Sequence, residues 1–244
     1  MLVHGTGVNS AFWGDIPTDL SRSHRVVVYD RRGFGQSTGS VVRDYRVHTR
    51  DLLALLEEYA AEPATLVGWS AGGIVTLDAA LARPELVRSL VLYEPPWHAK
   101  RYPSPGLLTA MMRVQFRRRL LRDPVGAARV FLRFVFNEGS HSNAMDRFSA
   151  GLRAEIDHDA QAALAEIDAG TGEYLTAAAI RSLAVPVMGV TGERTSPMLR
   201  SSMRRLAAHL PSMTIRKLGG GHALHLDDPA GFTKTIASAV QLHF

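Results

Sequence analysis

Residues 64–83 admit few folds. Ala64-Thr65-Leu66-Val67 is a short apolar run, Ile74 to Leu81 is a longer one, and Gly68-Trp69-Ser70-Ala71-Gly72 lies between them. The spacing reads as strand, abrupt turn and helix, with a serine at the apex. So tight a turn is strained, and glycines on both sides remove Cβ atoms that would meet neighbouring backbone. The helix that follows points its first free N–H groups toward the serine, where an anion could be held. A serine hydroxyl becomes a nucleophile only when a base takes its proton. Taken alone, the turn is also compatible with a glycine-rich bend whose serine caps a helix.

The remaining chain repeats the alternation. Leu2-Val3-His4 ends a strand that runs into Gly5-Thr6-Gly7, and a helix is expected over Ala11 to Leu20. A strand is expected at Arg25 to Asp30, followed by a loop punctuated with glycine at 33 and 35. Leu52, Leu53, Leu55, Leu56 and Tyr59 fall at helical spacing within 44–61. Strands are expected at Val87 to Tyr93, Val185 to Thr191 and Met213 to Leu218, and helices at Pro197 to Leu210 and Pro229 to Leu242. Residues 97–182 carry no comparable strand and read as helices. Alternating apolar strands and helices imply an α/β fold, a mostly parallel, doubly wound sheet covered on both faces. The expected division is therefore 1–96 and 183–244 as the two parts of one core, with 97–182 as a helical insert. In such sheets sites gather beyond the carboxyl ends of the strands, and His4, Ser70, Glu94, Glu193 and His222 all follow strands.

Composition excludes several alternatives. The chain of 244 residues has no cysteine, so disulfides, cysteine nucleophiles and thiolate metal sites are ruled out. That fits the cytoplasm. No uncharged apolar run approaches the ~18 residues of a membrane span, and no leader pattern opens the sequence. The formal charge of +5 lacks any accompanying nucleic-acid motif, so nucleic acid is not expected as a partner. Neither a zinc-ligand pattern nor a nucleotide-binding glycine pattern is present, so no cofactor and no metal are expected.

Four motifs in order carry a resemblance: His4-Gly5-Thr6-Gly7, Asp30-Arg31-Arg32-Gly33-Phe34-Gly35-Gln36-Ser37, Gly68-Trp69-Ser70-Ala71-Gly72-Gly73, and Gly221-His222-Ala223-Leu224-His225-Leu226-Asp227-Asp228-Pro229. Together they resemble the α/β-hydrolase superfamily, and the likeness spans nearly the whole chain apart from the insert, which corresponds to that family's cap. The resemblance implies Ser70 as nucleophile and His222 as base and then acid, with His225 the nearest rival. It also implies an oxyanion hole from the backbone N–H groups of Ala71 and the loop at Thr6. His4 and the Asp30 loop are expected to shape that loop rather than to react.

The acid departs from the family pattern. Most relatives place an aspartate where this chain has Thr195, and threonine cannot stabilise an imidazolium as a carboxylate does. Some place the acid at the end of the strand after the nucleophile helix, where Glu94 stands. The two prolines after Glu94 are expected to hold it extended. Glu94 is the preferred acid, with Glu193, Asp227, Asp228 or no acid left open.

Between His98 and Arg133 nine basic residues face one acid, Asp123, with leucines, methionines and phenylalanines interleaved. Two readings stand: a lid whose basic rim attracts anions or a membrane surface, and a cap with its arginines in water. Only Leu2, Val3 and His4 separate Met1 from Gly5, where relatives have further strands. The first strands are therefore expected to be missing, and an exposed sheet edge favours association into a homo-oligomer. The implied activity is serine-dependent cleavage of a small apolar carboxylic ester, lactone or thioester through an acyl-enzyme, without stable membrane insertion. A non-catalytic binding homologue, or a cofactor-free perhydrolase or lyase using the same pocket, would share these motifs.

Overall fold

The structure is a computed structural model that describes residues 1–139, 142–170 and 172–240. Among these residues five strands form one sheet in the order β1 (Leu2–Val3), β2 (Ala64–Trp69), β3 (Val87–Tyr93), β4 (Val187–Gly192) and β5 (Thr214–Leu218). Every neighbouring pair is parallel. The strand expected at 25–30 is reduced to a single parallel bridge between Val28 and Leu2, supported by the Leu2 N–H donating to the Val27 carbonyl at 2.9 Å. Its only neighbour among the described residues, β1, offers two residues to pair with, so a longer ladder has no partner there.

Side-chain alternation along the strands loads both faces. Val91 and Tyr93 of β3 enter one core with Val67, Trp69, Met188 and Val190, covered by α1 (Ile16–Ser21) and α11 (Pro229–Val240). Leu90 and Leu92 enter a second core with Leu66 and Val187, covered by α2 (Tyr45–Tyr59), α3 (Ala71–Ala82) and α9 (Pro197–Ala207). This burial on both sides is why the strands read as nearly continuous apolar runs. The helix expected over 11–20 is broken in two. A 3-10 turn at Ser10–Trp13 ends at Gly14, whose φ of 53° leaves the helical region, before α1 begins. In the last helix, expected to reach 242, the final two residues lie outside those described.

After β1 the chain crosses to the edge segment at Val28, and after β2 it crosses the other way to β3. That reversal opens a crevice between the carboxyl ends of β1 and β2, the position where open α/β sheets bind ligands. Between β3 and β4 lie α4 (Pro105–Arg119), α5 (Pro124–Val135), α6 (Ala150–His158), α7 (Ala160–Ala169) and α8 (Ala177–Arg181). Val114, Ala127, Ala128, Ala163 and Leu164 give these helices a small core of their own. The four-residue α10 (Leu224–Asp227) precedes α11.

Candidate active site

Ser70 stands at the junction of β2 and α3 with φ 53° and ψ −121°, a backbone state that costs a residue with a side chain about 1–3 kcal/mol. The surroundings enforce it. Ser70 N–H donates to the Tyr93 carbonyl at 2.8 Å, and the Gly73 N–H donates to the Ser70 carbonyl at 2.8 Å. A Cβ on Gly72 would strike the carbonyls of Val3 and His4, and one on Gly68 would strike Gly72 and Gly73. The glycines on either side of the serine are therefore required by close backbone approach. Ala71 is the first residue of α3 and is buried. Its N–H has no acceptor within the helix.

His222 follows β5 in a loop that two aromatic residues hold down. Trp69 Nε1–H donates to the His222 carbonyl at 2.9 Å. Tyr93 O–H donates to the Gly221 carbonyl at 3.1 Å and accepts from the Leu224 N–H at 2.8 Å. His222 Nδ1 lies 2.6 Å from Glu94 Oε2. Since a carboxylate only accepts, Nδ1 carries the proton and Nε2 is the basic nitrogen.

Glu94 is wholly buried and its carboxylate is fully engaged. Oε1 accepts from Thr191 Oγ1 at 2.9 Å and from the Gly192 N–H at 2.8 Å, while Oε2 accepts from Thr195 Oγ1 at 2.7 Å in addition to His222. Thr195 thus touches the carboxylate that occupies the place beside the histidine. The expectation of extended backbone at Glu94 is corrected: its φ is 49°, in the left-handed region. Donors converging from β4 and from the loop after it fix the carboxylate, and the backbone adopts the conformation that delivers it. Glu193 is exposed. Asp227 pairs with Arg147 at 2.9 Å, and Asp228 Oδ1 accepts from the Gly231 N–H at 2.9 Å. The histidine's carboxylate partner is thus Glu94 and none of these three.

His225 lies elsewhere. It is buried against the rings of Trp13, Trp69, Tyr93 and Phe232, with Nε2–H directed to the Phe12 carbonyl at 3.0 Å. Burial among those rings pushes its pKa down to about 3, so it stays neutral where a base must work.

The loop after β1 runs beside the serine: a Cβ on Gly5 would come within 3.0 Å of Ser70 Cβ. Thr6 Oγ1 donates to Glu166 Oε2 at 2.6 Å and accepts from the Tyr45 hydroxyl at 3.1 Å. Glu166 comes from α7 and is itself buried against Arg31, which donates to both of its oxygens and to the carbonyls of His4 and Gly5. Burial alone would raise the Glu166 carboxyl; the Arg31 guanidinium, helped by the nearby His48, outweighs it and holds the group well below the usual carboxylate range. His48 Nε2 lies 2.8 Å from Glu166 Oε1, outside hydrogen-bonding angle. His4 Nε2 accepts the Arg31 N–H at 2.8 Å, so its Nδ1–H meets the Gly5 carbonyl at 2.9 Å. Burial and the adjacent Arg31 keep His4 neutral, with its pKa pushed down to about 3. Asp30 accepts from the N–H groups of Ser10 (2.7 Å) and Gln36 (2.8 Å), a loop-shaping arrangement. Glu166 escaped the sequence reading, although an acid flanked by apolar residues on an alanine-rich helix was a usable signal.

Ser70, His222, Gly5 and Thr6 line one cavity of about 90 Å³. Its other walls are largely apolar, from Val8, Trp69, Leu107, Met111, Phe131, Leu132, Val135, Phe136, Ile167, Met198 and Leu199, with Lys100 contributing the one cation. Such a lining suits an apolar group next to a few polar atoms. Away from these walls, Glu155, His158 and Asp159 bring ligand-type atoms within 4.8 Å of one another. Asn9 Nδ2 donates to both carboxylates and the Gly35 N–H donates to Asp159, so these groups clasp the helical segment to the core.

The chain matches the alpha/beta hydrolase family over residues 1–235. It is 29% identical over 249 residues to "Putative carbamate hydrolase RutD" of Pseudomonas savastanoi pv. phaseolicola, covering 97% of this chain and 91% of that protein. It is 28% identical over 243 residues to a pimeloyl-[acyl-carrier protein] methyl ester esterase of Yersinia pseudotuberculosis, covering 97% and 90%. Among solved structures, an esterase from Exiguobacterium antarcticum superposes with a TM-score of 0.77 at 18% identity, covering 99% of this chain and 91% of that one. Sheet order, serine turn and family match agree, and this chain belongs to the alpha/beta hydrolase family.

Proposed function

We propose that the protein is a serine hydrolase that cleaves a small apolar carboxylic ester, lactone or thioester through an acyl-enzyme. The observation that carries this reading is the 2.6 Å pairing of Glu94 with His222 Nδ1, at a cavity the histidine shares with Ser70. It leaves Nε2 as the basic nitrogen of a ring that the carboxylate holds in place. Ser70 Oγ attacks the substrate carbonyl carbon while Nε2 takes its proton. The resulting oxyanion is held by the N–H groups of Ala71 and Thr6. Collapse expels the alcohol or thiol, which leaves with the proton from His222. Water then repeats the sequence on the acyl-serine, releasing the acid and restoring Ser70. Glu94 stabilises the imidazolium in both halves.

Residues 97–182 act in this reading as a cap that closes the cavity from above and selects the acyl group by volume. The relatives described as a methyl ester esterase and a carbamate hydrolase act, by those descriptions, on carbonyl–heteroatom bonds, which supports the same bond class here. A chain without cysteine suits the reducing cytoplasm, where we place it.

A fluorophosphonate probe should label the native protein at Ser70 and leave Ser70→Ala unlabelled. Hydrolysis of short-chain p-nitrophenyl esters should fall by ~10³-fold or more in Ser70→Ala and His222→Ala. Folded Ser70→Ala that retains turnover would sink the acyl-enzyme.

A further inference from the structure

Helix α4 is apolar on two opposite faces. Leu107, Ala110 and Val114 are buried on the inner one, from which Leu107 and Met111 reach the cavity. Leu108, Met112, Phe116 and Leu120 recur every fourth residue and so align on the outer one. Those four side chains are 53, 65, 53 and 71% exposed. A helix that is apolar all round is ordinarily covered on every side. A continuous row of large apolar side chains in water marks a surface that something covers.

Charge identifies the kind of partner. Arg117, Arg118, Arg129 and Arg133 are paired with Asp123, Asp168, Asp157 and Asp146. Arg113, Arg119 and Arg122 form no ion pair among the described residues, and all three are exposed. At about 100° of rotation per residue, Arg119 projects within the apolar row and Arg113 along its edge. Three guanidinium groups without an ion pair among the described residues thus lie where the apolar side chains emerge or just beyond the end of the helix. A second copy of the chain fits poorly, because a twofold contact between identical faces sets these arginines against one another. A protein partner needs ~800 Å² per side for a stable contact, and a row one helix wide offers only on the order of a few hundred.

We propose that the outer face of α4 docks peripherally on an anionic lipid surface. Leu108, Met112, Phe116 and Leu120 enter the boundary between headgroups and acyl chains along about 18 Å of helix, and Arg113, Arg119 and Arg122 contact lipid phosphates, the arrangement of an interfacial helix. The helix lies flat and does not span. Its inner face walls the apolar cavity, so docking brings the lipid phase one helix diameter from the substrate chamber. The proposal stands on surface observations alone and does not require the catalytic reading above.

The test is sedimentation of the whole protein with vesicles of phosphatidylcholine alone and of phosphatidylcholine mixed with phosphatidylglycerol. Binding is expected to the mixed vesicles at least tenfold more tightly than to the neutral ones, and to weaken as salt rises. The double variant Met112→Glu/Phe116→Glu should lose binding at least tenfold while keeping the wild-type melting temperature and p-nitrophenyl acetate turnover, since neither residue lines the cavity. Arg113→Gln/Arg119→Gln should abolish the preference for anionic vesicles. No binding to the mixed vesicles overturns the proposal, as does binding that survives Met112→Glu/Phe116→Glu. Concentration-dependent self-association abolished by the same double variant, with no vesicle binding, would assign the face to a second copy. Retention on an acidic polypeptide without vesicle binding would assign it to an acidic protein.

Discussion

At position 195, where the resemblance implies an aspartate, the chain has a threonine, and the structure gives that threonine a task. Thr195 Oγ1 donates to Glu94 Oε2 at 2.7 Å while the same oxygen meets His222. A hydroxyl cannot neutralise an imidazolium, but it can hold the carboxylate that does. Glu94→Gln should therefore lower ester turnover by ~10²–10⁴-fold. Thr195→Val, which removes one of several bonds to that carboxylate, should cost ~10-fold or less. Glu193→Gln should be near wild type, because Glu193 is exposed. Steady-state kinetics on one ester ranks the three, and a larger loss in Glu193→Gln than in Glu94→Gln would displace Glu94. The candidate residues were legible here because each follows a strand. In the sequence the preference for Glu94 rests on the resemblance alone; the contact itself depends on donors at 191, 192 and 195 converging on one residue about a hundred positions earlier.

Among the elements, α7 is the one whose role the sequence concealed. Its Glu166 crosses from the helical segment into the core, pairs with buried Arg31 and accepts from Thr6 Oγ1 at 2.6 Å. Thr6 would lend its N–H to the oxyanion, so the helix indirectly sets that donor's position. Glu166→Gln leaves Arg31 buried without its countercharge, a change worth ~3–5 kcal/mol of stability in comparable buried pairs. At a temperature where the variant remains folded, kcat should fall ~10-fold or more with little change in KM, because an oxyanion donor acts mainly in the transition state. Unchanged kcat alongside a lowered Tm would reduce Glu166 to a purely structural clasp. The lack of strand patterning placed these residues in a helical stretch; it could not show that one of the acids there meets an arginine 135 positions away.

For the molecule as a whole, buried neutral histidines set the response to acid. His4 and His225 have folded pKa values of about 3 against an ordinary 6.5. Between those values the unfolded chain takes up protons that the folded chain refuses, so stability rises with pH across that window. Glu166, held below its ordinary 4.5, contributes with the same sign: its share is present above about 4.5 and is lost as pH falls further. Every tenfold change in a group's proton affinity on folding is worth about 1.4 kcal/mol, and a domain has only ~5–15 kcal/mol to lose. Calorimetric Tm should drop steadily from pH 6.5 toward 3, with unfolding before the lower limit. His225→Phe should melt lower at neutral pH, having lost its bond to the Phe12 carbonyl, yet show a shallower fall in acid. A Tm that is flat between pH 6.5 and 4 would contradict the buried-neutral assignment.

The amino-acid order by itself determined the alternation of strands and helices, the strained serine turn and the histidine loop after the last strand. Those features rest on local rules: side-chain periodicity, glycine where backbones touch, and apolar runs wherever a parallel sheet is covered on both faces. Only the tertiary structure decided that 25–30 keeps one bridge, that donors at 191, 192 and 195 hold Glu94 against His222, and that Glu166 reaches the loop at Thr6. The reason is physical. A strand needs a neighbour long enough to pair with, and a buried charge needs donors that arrive from distant parts of the chain.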